Sequence, residues 1–230
     1  MLVAGFPAGT WETNCYVVAP APGEQCVVVD PGQDSVRGIE ELVREHRLSP
    51  VAVLLTHGHL DHTWSVVPVC EAHDVPAYLH PADRYMLSDP GIAFGQPPGT
   101  PLFGGLTFAE PSDLKPLAGG ETVTVAGLDF AVDHAPGHTE GSVTFRLADE
   151  VLFSGDVLFR DSIGRVDLPG GSYAAMLDTL ARVVLPMPDD LRVLSGHGPE
   201  TTIGRERAYN PYLAEAAARA GLAEPRGRGL

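Results

Sequence analysis

The chain has 230 residues, with 15 Lys and Arg against 30 Asp and Glu, which gives a formal net charge of −15. Non-specific binding to nucleic acid depends on Lys and Arg that neutralise phosphates, so this charge predicts no nucleic-acid partner. No apolar stretch reaches about 18 residues and the N-terminus lacks a basic signal-peptide region, so we expect no membrane partner and a cytoplasmic location.

The hydrophobic pattern alternates short strands with helices and contains no internal repeat. In the first half it predicts strands over residues 16–18, 26–30, 51–55 and 77–80, and helices over residues 35–47 and 62–73. In the second half it predicts strands over residues 122–125, 128–133, 143–147, 151–153 and 192–194, and helices over residues 172–184 and 209–220. This order suggests sheets packed face to face with helices outside.

The length and the distribution of Pro and Gly indicate one domain. No linker separates two cores, so we expect a single catalytic domain over residues 1–220 and a flexible tail over residues 221–230. Residues 88–105 form the longest irregular stretch, and the aromatic Phe94 and Phe103 favour a loop that covers a site, although a mobile surface insertion stays open. The sequence assigns no oligomeric state.

The three cysteines, Cys15, Cys26 and Cys70, are predicted to be core residues rather than nucleophiles or disulfide partners. Free cysteine is among the most often buried residue types. An odd number of cysteines without paired spacing also argues against a disulfide framework.

Potential metal ligands follow several predicted strands. Residues 56–62 read Thr-His-Gly-His-Leu-Asp-His, directly after a buried apolar run. Three further candidates stand beside glycines after later strand-like runs: His138, Asp156 and His197. Glycine lets the backbone approach closely, and imidazole and carboxylate groups suit divalent cations such as zinc. We therefore expect these side chains to converge on metal.

The motif His-x-His-x-Asp-His with its downstream His, Asp and His resembles the metallo-β-lactamase superfamily. Residues 154–171 and 196–204 are similar to the short glyoxalase II-type hydrolases, which are hydroxyacylglutathione hydrolases made of the catalytic domain alone. The resemblance implies an α/β fold: an αββα sandwich of two mixed β-sheets flanked by helices.

The resemblance also implies two sets of metal ligands that share a carboxylate. These are His57, His59 and His138 for one ion, Asp61, His62 and His197 for another, and Asp156 as the bridge. Asp61 and Asp156 would be the catalytic carboxylates. Zinc usually takes four and occasionally five ligands, so seven candidates indicate two divalent ions, with zinc expected first and iron or manganese open.

A pair of cations can lower the pKa of bound water from 15.7 to about 7 and polarise a carbonyl, so that metal-bound hydroxide attacks at neutral pH. The resemblance implies a small-molecule acyl thioester substrate such as S-lactoylglutathione, whose thiolate needs little general-acid help to leave. Full-length glyoxalase II proteins bind glutathione in part through a C-terminal helical domain that we do not expect in this chain, so other thioesters, lactones and activated esters stay open.

Two arginines that follow Asp156, the predicted bridging residue, are candidates for substrate binding. Arg160 and Arg165 could form bidentate hydrogen bonds with a substrate carboxylate. Alternatively, Arg165 pairs with Asp161 or Asp167 and fixes the loop.

The same residues bear on the other activities of the superfamily. The bridging Asp156 disfavours β-lactam hydrolysis, and His59 disfavours di-iron oxygen reduction. RNA cleavage is disfavoured by length and charge. A persulfide dioxygenase with one iron on His57, His138 and Asp156 stays open, because residues 164–167 resemble the Gly-Arg-x-Asp segment of those enzymes. A non-catalytic metal-binding module is the alternative outside enzymes.

Overall fold

The computed structural model describes residues 1–222, whose strands form two six-stranded mixed sheets. The first sheet follows chain order: β1 (Leu2–Ala8), β2 (Thr13–Ala19), β3 (Gln25–Val29), β4 (Ser49–Leu54), β5 (Ala77–Leu79) and β6 (Leu114–Pro116). Strands β1 to β3 pair antiparallel, and β3 to β6 pair parallel.

The second sheet contains the remaining strands. They are β7 (Thr122–Val125), β8 (Leu128–His134), β9 (Val143–Leu147), β10 (Val151–Gly155), β11 (Arg192–Ser195) and β12 (Thr201–Thr202), again neighbours in chain order. Only β10 and β11 pair parallel, and the other neighbours are antiparallel.

Helices cover the outer faces of both sheets. They are α1 (Val36–His46), α2 (Leu60–Thr63), α3 (Val66–His73), α4 (Tyr85–Ser88), α5 (Tyr173–Thr179), α6 (Ile203–Tyr209) and α7 (Pro211–Arg219). Helices α1 and α3 share a buried cluster with the first sheet, and α5 and α7 share one with the second sheet.

A third buried cluster fills the space between the sheets. Alternate residues of a strand point to opposite faces, so Val28 packs toward the helices while Val27 packs toward the other sheet. Phe130, Phe145 and Phe153 supply the largest side chains of this inner cluster. Each such side chain contributes about 1.5–3 kcal/mol on burial. The predicted αββα sandwich of two mixed sheets is confirmed.

The helix predicted over residues 62–73 is wrong in its extent. It is two helices, α2 and α3, separated at Trp64 and Ser65. The Ser65 amide donates to the Pro31 carbonyl at 2.9 Å, and the Ser65 hydroxyl donates to the Gly32 carbonyl at 2.7 Å. The helix breaks because these polar groups of Ser65 bind a neighbouring loop.

The helix predicted over residues 209–220 begins later, at Pro211. A residue before proline is disfavoured in helical conformation, and Asn210 is extended with its side-chain oxygen accepting from the Tyr212 amide. Helix α6 precedes it and was not predicted. The helix predicted over residues 172–184 continues beyond α5 only as a π-helical turn over Leu180–Val184.

Strands β1, β6 and β12 were not predicted. Strand β1 contains Gly5 and Pro7, which are typical of an edge strand and weaken its pattern, while β6 and β12 have three and two residues. Of the predicted tail, residues 223–230 lie outside the described residues, and the single-domain assignment stays a prediction. Within residues 1–222, no helix is both long and apolar enough to cross a bilayer.

The segment over residues 88–105 packs beside Trp11. A 3₁₀ turn spans Pro90–Phe94, and Asp89 Oδ2 accepts from the Gly99 amide at 2.7 Å. The centroids of the Phe103 and Trp11 rings are 5.8 Å apart. These contacts hold the segment against Trp11, and its role as a binding loop stays a prediction.

All three cysteines should be unreactive toward a water-soluble disulfide reagent at pH 8 in the native protein. Each is buried, and burial raises the pKa of the Cys26 and Cys70 thiols to about 12 and that of Cys15 as well. At a pH below its pKa a thiol stays protonated, so little nucleophilic thiolate is present. Thiol titration should count no group before denaturation and three after it. A thiol that reacts within minutes in the native state would contradict this burial.

Candidate metal centre

The seven predicted ligands stand in loops or short helices that follow four strands. His57 and His59 follow β4, and α2 then carries Asp61 and His62. The other three follow strands of the second sheet: His138 after β8, Asp156 after β10 and His197 after β11. Thr13 of β2 also forms an isolated antiparallel bridge with His197, which joins the first sheet to the loop that carries this ligand.

One group of ligand atoms belongs to His57, His59 and His138. Their ring nitrogens lie within 4.8 Å of one another, and all three residues are buried. His59 Nδ1 and His138 Nε2 are 2.8 Å apart. This is the set predicted for the first ion.

A second group comprises Asp61, His62 and His197, with ligand atoms again within 4.8 Å of one another. Asp61 Oδ2 lies 3.0 Å from His197 Nε2 and 3.5 Å from His62 Nε2. This is the set predicted for the second ion.

Asp156 lies between the two groups. Its Oδ1 is 3.3 Å from His62 Nε2, while its Oδ2 is 3.5 Å from His138 Nε2 and 3.7 Å from His197 Nε2. Its carboxylate also falls within 4.8 Å of ligand atoms of both His57 and His62. The structure thus brings this carboxylate, the predicted bridge, beside both groups.

The donor atoms fit a divalent metal site because several are buried without a hydrogen-bond partner. These atoms are His57 Nε2, His59 Nε2, His62 Nε2 and Asp156 Oδ1. Buried polar atoms normally have partners, and leaving one unpaired costs about 1–3 kcal/mol. Bound cations would satisfy His57 Nε2, His62 Nε2 and Asp156 Oδ1, whereas His59 faces the His138 ring nitrogen with its Nδ1.

The protonation states of these ligands also fit a divalent metal site. Burial lowers the pKa of His57 well below its ordinary value and that of His59 to about 3, so both rings are neutral. Burial opposes the ionisation of Asp156, but nearby imidazoles, with His62 first, hold its pKa below its ordinary value. Neutral imidazole and ionised carboxylate are the ligand forms that metals need.

His62 differs, because acidic neighbours surround it. Burial opposes its protonation, yet Asp61, Asp156 and Asp30 raise its pKa well above the ordinary value. A ligand must be deprotonated to bind metal, so a cation that binds here would displace this proton.

Outer contacts aim three of the imidazoles at the centre. His62 Nδ1 lies 2.9 Å from Asp30 Oδ2, and His57 Nδ1 lies 3.1 Å from the Thr56 hydroxyl. His138 Nδ1 lies 2.7 Å from the Arg165 carbonyl oxygen. Partners of this kind fix the ring and leave Nε2 to bind metal.

Asp30 was predicted only as the end of a strand. It is 2% exposed, has a φ of 49° and accepts from both the amide and the hydroxyl of Thr56. A carboxylate that ends a buried strand immediately before Pro31 and Gly32 was the one signal of this role in the sequence.

Asp83 was missed altogether. Its Oδ2 accepts from the Gly58 amide at 2.9 Å and the Thr139 hydroxyl at 2.7 Å, and its Oδ1 accepts from the Gly141 amide at 2.7 Å. Burial raises its pKa, while these donors favour the ionised form. Asp83 therefore ties the loop of His57 and His59 to the loop that follows His138.

Glycine is required where this carboxylate packs. A Cβ on Gly58 would lie 2.7 Å from the Asp83 carbonyl oxygen, and one on Gly141 would lie 2.5 Å from Asp83 Oδ1. Near the ligands, a Cβ on Gly196 would overlap both Asp156 Oδ1 and the His62 ring. The glycines beside the predicted ligands thus serve close approach, as expected.

A cavity of about 380 Å³ opens above the ligands. Five ligands and five other side chains line it: His59, Asp61, His138, Asp156, His197, Trp11, Phe94, Phe159, Arg165 and Leu168. Arg165 is the only Lys or Arg in this lining, and Arg160 is exposed outside it. Substrate binding by either arginine stays a prediction.

The Arg165 guanidinium forms one of the ion pairs considered from sequence. Its Nε and Nη2 donate to the two oxygens of Asp167 at 2.8 and 2.9 Å, whereas Asp161 pairs with Arg205. The side chains of Arg165 and Asp167 are 60% and 69% exposed.

Replacing Arg165 by alanine should leave the thermal midpoint within about 2 °C, because exposed ion pairs add little stability. Its contact with His138 uses the backbone carbonyl, which alanine keeps. Metal content by elemental analysis should therefore equal that of the unmodified protein. Loss of metal in the variant would show that the side chain, not the carbonyl, holds His138 in place.

Comparison with known proteins agrees with this site. The family model described as the metallo-beta-lactamase superfamily matches residues 8–197. An uncharacterized protein of Mycobacterium tuberculosis (strain ATCC 25618 / H37Rv) is 44% identical over 220 residues, which cover 93% of this chain and 98% of that protein. The hydroxyacylglutathione hydrolase GloC of Haemophilus influenzae is 31% identical over 213 residues, which cover 90% of this chain and 96% of GloC.

Solved structures agree as well. The BLEG-1 B3 metallo-beta-lactamase shares 41% identity with a TM-score of 0.83, over 92% of this chain and 99% of that one. TTHA1623 in a di-iron-bound form shares 37% identity with a TM-score of 0.74, over 93% of this chain and 100% of that one. These matches show that the chain is a metal-dependent hydrolase of the metallo-β-lactamase superfamily.

Proposed function

We propose that the protein hydrolyses small acyl thioesters, of which S-lactoylglutathione is the first to test, with two divalent metal ions, zinc foremost. The observation that carries the proposal is the position of Asp156, whose carboxylate lies beside ligand atoms of both groups beneath one open cavity. The similarity to GloC, a hydroxyacylglutathione hydrolase, supports the same reaction.

Bound divalent ions would supply Lewis acidity and lower the pKa of water enough for attack at neutral pH. His57, His59 and His138 would hold one ion, and Asp156 would face both. Asp61, His62 and His197 would hold the second ion.

The remaining chemical roles belong to side chains of the protein. The Asp61 carboxylate lines the cavity, and Thr13 donates a hydrogen bond to its Oδ2 at 3.2 Å, which fixes the orientation of this carboxylate. Burial opposes the ionisation of Asp61, but His62 and His197 hold its pKa below the ordinary value, so it can accept a hydrogen bond from attacking water. A thiolate leaves readily, and no additional acid is required.

The test is a panel of thioesters assayed on protein of measured metal content. It begins with S-lactoylglutathione and includes lactoyl and acetyl esters of other small thiols. The proposal expects release of free thiol that stops when a chelator strips the metal and resumes when zinc is restored. Metal-loaded protein that cleaves none of these thioesters would refute it.

β-Lactam hydrolysis is the second candidate, because the BLEG-1 enzyme shares 41% identity over nearly its whole chain. The bridging position of Asp156 still argues for the thioesterase. A chromogenic cephalosporin assayed beside the thioester panel separates the two activities by their kcat/KM values.

Persulfide oxidation is tested separately, since it needs a single iron on His57, His138 and Asp156. One iron per chain with oxygen uptake on glutathione persulfide, and no thioester cleavage, would replace our proposal with that activity. A non-catalytic metal module would show bound metal but none of the three activities.

A further inference from the structure

Four side chains that line the cavity carry no metal-binding atom and no charge. Trp11 lies between β1 and β2, Phe94 ends the 3₁₀ turn after α4, and Phe159 and Leu168 lie between β10 and α5. We call these four residues the apolar wall. The hydrolytic chemistry proposed above uses none of them.

The apolar wall begins directly beside a predicted ligand. The centroids of the Phe159 and His197 rings are 6.0 Å apart in an edge-to-face arrangement. A substrate whose carbonyl reaches the ligands therefore places one of the two groups on that carbonyl, the acyl chain or the thiol, near this wall.

Trp11 is held in place by aromatic rings behind it. Its ring centroid lies 5.8 Å from those of both Trp64 and Phe103, and the centroids of these two rings are 5.2 Å apart. Trp64 also contacts Phe108 at 5.4 Å. A surface held this firmly loses little conformational freedom when a ligand binds.

One member of the apolar wall and one ring behind it expose apolar surface to water. Phe94 is 43% exposed although it lines the cavity, and Phe103, which contacts Trp11, is 49% exposed. Exposed apolar surface beside a concave site is typical of a surface that binds a ligand.

Charge limits what can bind there. The single guanidinium of the lining, that of Arg165, already pairs with both oxygens of Asp167. An acyl group with its own carboxylate would meet no unpaired cation among the residues that line this cavity.

We infer that the apolar wall is the acyl-binding subsite and that the preferred substrates are thioesters of uncharged, apolar acids, aromatic or medium-chain. The inference rests on the proposed thioester hydrolysis and names the acyl class that this site selects. Lactoyl, which is small and polar, would use the wall poorly.

The experiment compares acyl groups on one neutral thiol, so that only the acyl part changes. We expect kcat/KM for the phenylacetyl thioester to exceed that for the acetyl and lactoyl thioesters by at least about tenfold. That factor corresponds to about 1.4 kcal/mol, or about 60 Å² of apolar surface buried. Equal rates across the series would overturn the inference.

Variants of the wall locate the effect. Trp11→Ala and Phe94→Ala should each lower kcat/KM for the phenylacetyl thioester about tenfold and change that for the acetyl thioester less than about twofold. Tyr209→Ala is the matched control, because this aromatic side chain is 73% exposed on α6. Equal losses on both substrates in variants with normal metal content would contradict the subsite.

A binding measurement keeps the inference separate from the activity. Phenylacetate and acetate are titrated into metal-loaded protein by calorimetry, and phenylacetate should bind at least about tenfold more tightly, with the difference lost in Trp11→Ala. If no thioester is cleaved but this difference is found, thioester hydrolysis fails while the apolar subsite stands. Equal affinities would refute the subsite whatever the activity.

Discussion

Replacing Asp156 by asparagine should lower thioester hydrolysis at least about a thousandfold and leave the fold intact. Asp156 lies beside both ligand groups, with one oxygen near His62 and the other near His138 and His197. Asparagine keeps the size of the side chain but removes the charge, and its amide nitrogen cannot bind a cation. The variant should hold fewer than two ions per chain.

This prediction is measured as kcat/KM together with metal content and the circular dichroism spectrum. Asp149→Asn is the control, because this carboxylate is exposed and pairs with Arg146 away from the site. An unfolded Asp156→Asn protein would favour the structural-metal alternative. A folded variant with normal activity would contradict the role given to the bridging carboxylate.

Replacing Asp83 by asparagine should weaken metal binding about ten- to a hundredfold without touching a ligand. The carboxylate accepts three hydrogen bonds that join the two histidine loops, from Gly58, Thr139 and Gly141. An amide group would turn one acceptor into a donor that faces another donor. The free energy of unfolding should therefore fall by about 1–3 kcal/mol.

Competition with a chelator gives the metal affinity, and denaturant unfolding gives the stability. Asp113→Asn is the control, since this exposed carboxylate lies away from the ligands, 3.6 Å from the Lys115 ammonium. Gly141→Ala tests the same contact from the other side, because its Cβ would lie 2.5 Å from Asp83 Oδ1. If Asp83→Asn binds metal as tightly as the unmodified protein, Asp83 does not position the ligands.

The convergence of the seven predicted ligands was predictable from sequence because each of them follows a strand and stands near glycine. Four of the seven are crowded into residues 57–62, and the type and order of His138, Asp156 and His197 complete the pattern. The alternation of strands and helices likewise predicted the layers.

The supporting carboxylates were not readable, because their roles depend on contacts across long stretches of chain. Asp83 lies 25 residues from Gly58 and 58 residues from Gly141, and nothing beside it in sequence marks a shared partner. Asp30 reaches His62 over 32 residues. Only the folded arrangement brings them to the ligands.

Helix limits were missed for a similar reason. The break at Ser65 depends on carbonyls of Pro31 and Gly32 in another loop, so the local pattern favoured one continuous helix. By contrast, the start of α7 at Pro211 follows from local chemistry that the pattern already contained.

The central claim, that the seven side chains hold a pair of cations, is tested most directly by counting the metal in protein purified without added chelator. Elemental analysis against protein concentration should find two divalent ions per chain, most of them zinc. Metal-replete protein that binds one ion or none would contradict it.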